Sequence, residues 1–504
     1  MRSIYEKWMK KTLEVRNQND IKENQKVDQK RNEKITIEAI ENEFRYVSDF
    51  IKMEMEVNDE RILIFYLESI IDASILQRHL LVPLHRITND AILEVIPNAE
   101  SIEWDQLSSL INDVINGNTI ILLQNSRKIY KVDTYGPPER AISSSDTETN
   151  MLGPKDAFTE SLQTNVSLIK RRIKSSKLKT KSSVIGKEAR TNVSFMYLED
   201  IANEENINQV EKRLNDIEID GVLSTSILKQ MIEDQPLSLF PVYLSTEKPD
   251  VAMSHLLDGR IAIMMDNSPE VIICPTTFVN MFNSTEDYYA RWTVANMIRM
   301  IRFAGFFITI LLTSTYVSVL TFHPEMLPPH LLNLLSQSRS QVPFPPVIEV
   351  LGIELVIEVL REAGARMPTK VGSTIGIVGG IVIGTAAVEA GLVSNILIVI
   401  VAVSALASFL PSSFEMSSAI RFIRYFFIVS AGFLGMYGQF LVLAWLLIHL
   451  TNMTSLGTPY FTPVIPRKWT DYLKDVFRLP YFLLNVRTGA SRAKKFLTRP
   501  YGDD

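Results

Sequence analysis

The sequence predicts a protein in two parts: an α/β N-terminal soluble region of two subdomains, then an α-helical multi-pass transmembrane domain. Three observations lead there. Most of the charge in the 504-residue chain lies before residue 300, and nearly all the long apolar runs lie after it. Four of those runs meet or approach the roughly 20 apolar residues that a helix needs to cross a hydrocarbon layer. Before residue 290, short apolar strand-like segments alternate with helical periodicity.

The first segment, 1–34, is polar and rich in Lys, Asn, Gln and Glu, and reads as a charged flexible tail. It has neither the apolar core nor the small-residue cleavage site of a secretory signal. Cys274 is the single cysteine, so the chain can form no internal disulfide and no zinc site built on thiols. The net charge of −5 gives no reason to expect a nucleic-acid partner.

Subdomain 1, residues 35–150, opens with a strand over 61–67 and helical periodicity over 69–82. The apolar runs 118–123 and 129–133 flank Gln124, Asn125 and Ser126 as a hairpin would. Tyr135-Gly136-Pro137-Pro138 ends that subdomain. Subdomain 2, residues 151–290, reads as a helix over 157–176, a strand over 193–198, a helix over 206–217, and a hairpin of 260–265 with 270–274. The basic run 170–181 is expected on a solvated helix face followed by a flexible loop, with anionic lipid or nucleic acid as the alternative contact.

No catalytic, cofactor or metal site emerges, so an enzyme is not expected. The six histidines form no His-Glu-x-x-His pair. Gly153-Pro154-Lys155 lacks the spacer and ending of a phosphate loop, and there is no Gly-x-Ser-x-Gly elbow.

The transmembrane domain, 291–450, is expected to place spans at about 303–322, 371–388, 392–410 and 425–448. A further helix over 347–362 carries Glu349, Glu354, Glu358 and Glu362, the last three on one face. It reads as interfacial, re-entrant or spanning; in the last two cases its carboxylates would line an aqueous path. Gly372, Gly376, Gly380 and Gly384 recur every four residues along one helix side. Such a stripe permits close helix packing within the chain, an interface between identical subunits, or a pore wall. The segment 451–504 is a basic C-terminal tail. The basic clusters Arg291, Arg299 and Arg302, Arg361, Arg366 and Lys370, Arg421 and Arg424, and the tail 467–499 cannot all be placed inside with four or five spans, which leaves some arginines outside or held within the protein. Placing both the N-terminal region and the tail inside requires an even number of crossings.

Several short motifs then resemble those of the spore germination receptor A subunit, the GerA family. Pro154, Lys155, Phe158, Thr159 and Glu160, followed by Thr164-Asn165 and by Arg171-Arg172-Ile173-Lys174, resemble its GPK-x-x-F-T-E, TN and RRIK elements. Asp234 and Pro236 with Phe240-Pro241 resemble D-x-P and FP; Glu247, Pro249 and Asp250 resemble the TE-R/K-PD element. Gly259 and Arg260 with Asp266 and Ser268-Pro269, Asp287 and Tyr288 within EDYY, and Pro345 and Pro346 complete the set. The resemblance spans roughly 61–468; Leu152 stands where the family commonly has arginine.

The resemblance implies more than the residues do. It implies a nutrient-sensing germinant receptor subunit in the inner membrane of bacterial spores; the lack of an export signal places the N-terminal region on the core side, and the motifs give no reason to expect a cofactor. Its partners would be membrane lipid, a transporter-like B subunit that binds the nutrient, and a C subunit lipoprotein. The A subunit would oligomerise with its own kind into a nutrient-gated ion channel. The Gly372 to Gly384 stripe, with Glu354 and Glu358, is where such a path would lie in this sequence. A non-conducting scaffold or signalling subunit is the alternative reading, with a secondary transporter a further one.

Overall fold

The computed structural model describes residues 36–57, 60–84, 96, 99–102, 107–124, 128–136, 152–366, 380, 384–466, 471–480, 487 and 489–495. The tail 1–34, Gly372 and Gly376 lie outside the described residues. The chain divides into two units: Met1–Glu233, Ser245–Pro275 and Tyr481–Asp504 form one, and Asp234–Leu244 with Thr276–Pro480 form the other.

The first unit holds two five-stranded sheets. One is built from β1 (Phe50–Val57), β2 (Glu60–Leu67), β3 (Ala99–Ile102), β4 (Asn118–Leu123) and β5 (Lys128–Asp133), in the order β1-β2-β4-β5-β3, with antiparallel pairing throughout. Strand β2 is a continuous apolar run rather than an alternating one, and its side-chain parity shows why. Leu63, Phe65 and Leu67 enter one core with helices α1 (Ile37–Glu43) and α2 (Leu107–Ile115). Ile62, Ile64 and Tyr66 enter another with Leu76, Leu80 and Leu84. Both faces are therefore covered. The helical pattern expected from Ser69 starts later. The Ser69 hydroxyl donates to Asp49, and Asp72 caps the helix instead, accepting from the Ser74 amide at 2.7 Å.

The second sheet comprises β6 (Leu178–Ile185), β7 (Thr191–Leu198), β8 (Leu244–Thr246), β9 (Ile261–Met265) and β10 (Val271–Cys274), in the order β6-β7-β9-β10-β8. Four helices accompany it: α3 (Leu162–Arg172), α4 (Glu204–Asn215), α5 (Thr225–Ile232) and α6 (Pro249–Leu257). Helix α3 begins five residues after the expected start at Ala157. The Phe158 amide is drawn into an extended pairing with the Glu247 carbonyl at 2.7 Å, and Ser161 caps the helix. The hairpins β4–β5 and β9–β10 form where the turn residues place them.

The basic run 170–181 is solvated only in part: Arg171, Lys174 and Lys177 are exposed, but the other lysines are not. Lys170 is buried against Asp49, the Lys179 ammonium donates to the Glu43 carbonyl, and Lys181 meets Glu211 at 2.6 Å. The last third of the run, 178–181, is strand β6 rather than loop. The same segment joins the two sheets. Thr180 donates to the Tyr46 carbonyl at 3.0 Å and accepts from the Ser48 amide at 3.0 Å, while Ser176 Oγ donates to Glu43 at 2.7 Å.

The second unit is helical: α7 (Trp292–Phe322), α8 (Pro329–Arg339), α9 (Pro346–Arg366), α10 (Asn395–Ala407) and α11 (Phe414–Asn452). Among the described residues, α7 and α11 are long and apolar enough to cross a membrane, and α10 is a shorter apolar helix. The run α11 is not one rod. Gly435 has φ +61° and ψ −142°, and the rings of Phe426 and Trp445 stand 6.3 Å apart. On a straight helix those residues would be about 28 Å apart. Helix α11 is therefore a hairpin of two arms, 414–434 and 436–452, and the single span expected over 425–448 reverses direction midway.

Contacts within this unit fix the direction of each helix. Ser412, just before the first arm, donates to the carbonyls of Met281 and Asn283, which lead into α7. Gly435 turns against Phe322 and His323, at the other end of α7. Gln439 Nε2 donates to Ser318 at 2.8 Å, and His449 returns to Phe240. Helix α10 runs from Ser394, bonded to Tyr316, to Ala407 beside Gly305, so it is antiparallel to α7.

Candidate functional site: charge clusters inside the helical unit

Burying a guanidinium in an apolar helical unit is costly unless a carboxylate and hydrogen bonds offset the lost hydration. Helix α7 contributes Arg299 and Arg302, three residues apart and so on neighbouring positions of one face. Both reach Asp287: Arg299 Nε donates at 3.0 Å, and Arg302 Nη1 donates to both carboxylate oxygens at 2.9 Å. All three side chains are buried. Arg478 donates to the backbone carbonyls of Asp287, Tyr288 and Ala290. Asn296 locks the Arg478 backbone from both sides: its amide donates to the Arg478 carbonyl at 2.9 Å, and its carbonyl accepts from the Arg478 amide at 2.7 Å. Asp287 thus ties the segment entering α7 to the chain that leaves the helical unit.

A second cluster joins α9 to the first arm of α11. Arg424 Nη2 lies 2.7 Å from Glu354 Oε2 with neither side chain exposed, and Arg424 also donates to Ser404 of α10 at 3.3 Å. One turn on, Glu358 accepts from Arg361 at 2.9 Å and lies 3.5 Å from Arg421. Toward the start of α9, Glu349 accepts from the Ser394 amide at 2.6 Å and pairs with Arg339 at 3.3 Å. Glu362, expected on the Glu354 face, instead pairs with Arg366 at the exposed end.

The structure thereby places the candidate residues. Glu354 and Glu358 come together with arginines of another helix. The positive clusters that resist a topology count, Arg299 with Arg302 and Arg421 with Arg424, are consumed inside the fold. Gly380 and Gly384 are described, and among the described residues a methyl group added at either would meet no atom within 4 Å beyond its own helix. The glycines that do sit at close approaches are others. A Cβ on Gly305 would lie 2.5 Å from Leu410 Cδ1, and one on Gly432 would lie 2.5 Å from Val347 Cγ2. The sequence shows Arg299, Arg302, Arg421 and Arg424 as two Arg-x-x-Arg pairs beside long apolar stretches, but not the carboxylates they meet.

In the first unit the motif residues serve local structure. Arg172 pairs with Asp156 beside Pro154 and Lys155. Thr159 bonds Asn165, and the Glu160 carbonyl accepts from the Asn267 amide at 2.7 Å. Asp266 accepts from the Leu162 amide at 3.1 Å. Arg171 lies in the last turn of α3, and Pro249 and Asp250 form the first turn of α6. Gly259 has φ +86° in the turn before Arg260. Arg260 is 1% exposed, and among the described residues its Nε and Nη1 meet no acceptor. Asp234, Pro236, Pro345 and Pro346 belong to the helical unit. Among the described residues no group of three His, Cys, Asp or Glu side chains could hold a metal ion.

The fold is therefore an α/β region of two sheets followed by a helical region whose long apolar helices carry internally paired charges. The profile of the Bacillus/Clostridium GerA spore germination protein family matches residues 38–490, and the chain belongs to that family. It is a subunit of the germination receptor A type, as its motifs lead one to expect. Spore germination protein GerQA of Bacillus cereus is 39% identical over 451 residues, covering 89% of this chain and 90% of that protein. Spore germination protein KA of Bacillus subtilis (strain 168) is 36% identical over 449 residues, covering 86% and 82%. The crystal structure of the N-terminal domain of the A subunit of the Bacillus megaterium spore germinant receptor GerK3 is 30% identical, covers 48% of this chain and 94% of that one, and aligns with a TM-score of 0.37.

Proposed function

We propose that this chain is a non-enzymatic, nutrient-gated channel subunit of a germinant receptor in the inner spore membrane, its N-terminal region on the core side. In this reading it assembles with copies of itself, a nutrient-binding B subunit and a C subunit lipoprotein. Helix α9 carries the reading. One of its sides is spent on Glu354 and its arginines. Along another, Ile348, Leu355 and Val359 are more than half exposed, and Gly352 faces open space. That apolar stripe, together with the open Gly380 and Gly384, is a surface for neighbouring subunits. Glu358, with 37% of its side chain exposed, lies against Arg361 and Arg421, so cations would meet it only in an arrangement that opens those pairs, while Glu354 stays tied to Arg424. Nutrient binding on the partner subunit would shift the helices between two arrangements.

The test is ion flux through the purified protein in liposomes, alone and with its partners. Flux that appears on nutrient addition and is changed by Gly376→Leu or Gly380→Leu supports the channel. The burial of Glu354 in an ion pair with Arg424 favours a second reading, a signalling scaffold with no conduction of its own, and absence of flux from the complete receptor would select it.

A further inference from the structure

The stretch Gln235–Leu244 (QPLSLFPVYL) carries no charge in a region otherwise rich in it. It belongs to the helical unit and is bound to the last turn of the second arm of α11. Gln235 donates to the Asn452 carbonyl at 3.2 Å, Ser238 Oγ meets His449 Nε2 at 2.9 Å, and Thr454 donates to Asp234 at 3.2 Å. Further along, Tyr460 donates to the Pro241 carbonyl at 2.7 Å, and Ser455 to the Val242 carbonyl at 2.9 Å. Between these anchors the Ser238 amide donates to the Gln235 carbonyl at 3.0 Å, a turn with Pro236 and Leu237 at its tip. Leu237 is 98% exposed and Leu239 is 42% exposed.

Five hydrogen bonds that hold two leucines outward imply that something other than water faces them. The same helix end identifies it. Trp445, Leu447 and Ile448 are exposed on the last turns of the arm, and Trp445 stacks on His449 with ring centroids 5.8 Å apart. A tryptophan near the end of an apolar helix, followed by uncharged loop, is the composition of a membrane–water boundary. We infer that the Gln235–Phe240 turn is a lipid anchor: Leu237 and Leu239 dip into the headgroup–acyl boundary beside the end of α11, continuing its lipid-facing surface. The inference rests on α11 crossing a bilayer, as proposed above.

The full chain, in a Cys274→Ala background, is placed in nanodiscs of mixed zwitterionic and anionic phospholipid. Bimane is attached at Leu237→Cys, Leu239→Cys or, as reference, Phe440→Cys, which is 67% exposed on the arm itself. Quenching by doxyl-labelled lipid is compared with quenching by aqueous iodide. The anchor predicts that lipid quenches the Leu237 and Leu239 labels at least twofold more than iodide. If iodide dominates there while Phe440 is quenched by lipid, the anchor is overturned and the membrane reading stands. If neither quencher reaches the turn labels, a protein surface covers them and the anchor is again overturned. If lipid fails to quench Phe440 as well, the membrane reading itself falls.

Discussion

Arg424 and Glu354 meet at 2.7 Å with no exposure on either side, and this pair ties helix α9 to the first arm of the α11 hairpin. The carboxylate that the sequence marks as a candidate pore group is matched by a charge from a helix seventy residues away. Removing one partner strands the other. Glu354→Gln is therefore expected to destabilise the helical unit by roughly 3–5 kcal/mol, while the double variant Glu354→Leu/Arg424→Met recovers most of the loss. Thermal unfolding in detergent checks both; equal stability of the single and double variants would refute the pairing.

Asp49 sets an acid limit on the first unit. Burial alone would raise its carboxyl pKa, but Lys170 and the Ser69 hydroxyl outweigh burial and hold it below the usual carboxylate value. A group depressed on folding stabilises fully above its unfolded value, and that contribution disappears as pH falls through the folded value. The transition temperature of the wild type should drop below about pH 4, the usual range of an unfolded aspartate. Asp49→Asn should be less stable at neutral pH and show a flatter acid limb. An unchanged acid limb would remove Asp49 from the explanation.

Gly435 turns the α11 hairpin at a positive φ, and a Cβ there would lie 3.0 Å from Phe322 Cβ. Gly435→Ala combines backbone strain of about 1–2 kcal/mol with that crowding. Loss of helical-unit stability by that amount or more is expected, whereas Gly380→Ala and Gly384→Ala should leave it unchanged. The contrast, read by unfolding of the four proteins side by side, separates turn glycines from surface glycines.

Arg260 is buried just before β9, and among the described residues neither its Nε nor its Nη1 has an acceptor. An isostere without charge removes the cost of its dehydration. Arg260→Met is expected to be neutral or stabilising by roughly 1 kcal/mol; a drop of several degrees in melting temperature would mean that the guanidinium is held by a contact formed elsewhere in the receptor.

The two-part architecture was legible because it depends on apolar period and length. Strand β2, the β4–β5 and β9–β10 hairpins and the helical character of the C-terminal half follow from runs of Ile, Leu and Val between turn residues. The start of α3 was not, because the Phe158 amide pairs with Glu247, nearly ninety residues on. Reading the whole of 170–181 as solvated failed for the same reason: its partners Asp49, Glu43 and Glu211 are remote in sequence. The hairpin in α11 hid behind uniform hydropathy. A run of apolar residues carries no mark of direction, and Gly435 looked like any of its neighbours Gly432 and Gly438. At the charged clusters, sequence supplied the residues but not their pairing.

The two arms joined at Gly435 are unequal. The first can reach about 31 Å, but the second, 436–452, only about 25 Å, short of a typical hydrocarbon thickness by some 5 Å. In the membrane placement proposed above, lipid beside the second arm would thin, or the arm would draw its flanking residues inward, so membranes of different acyl length would load this hairpin by different amounts.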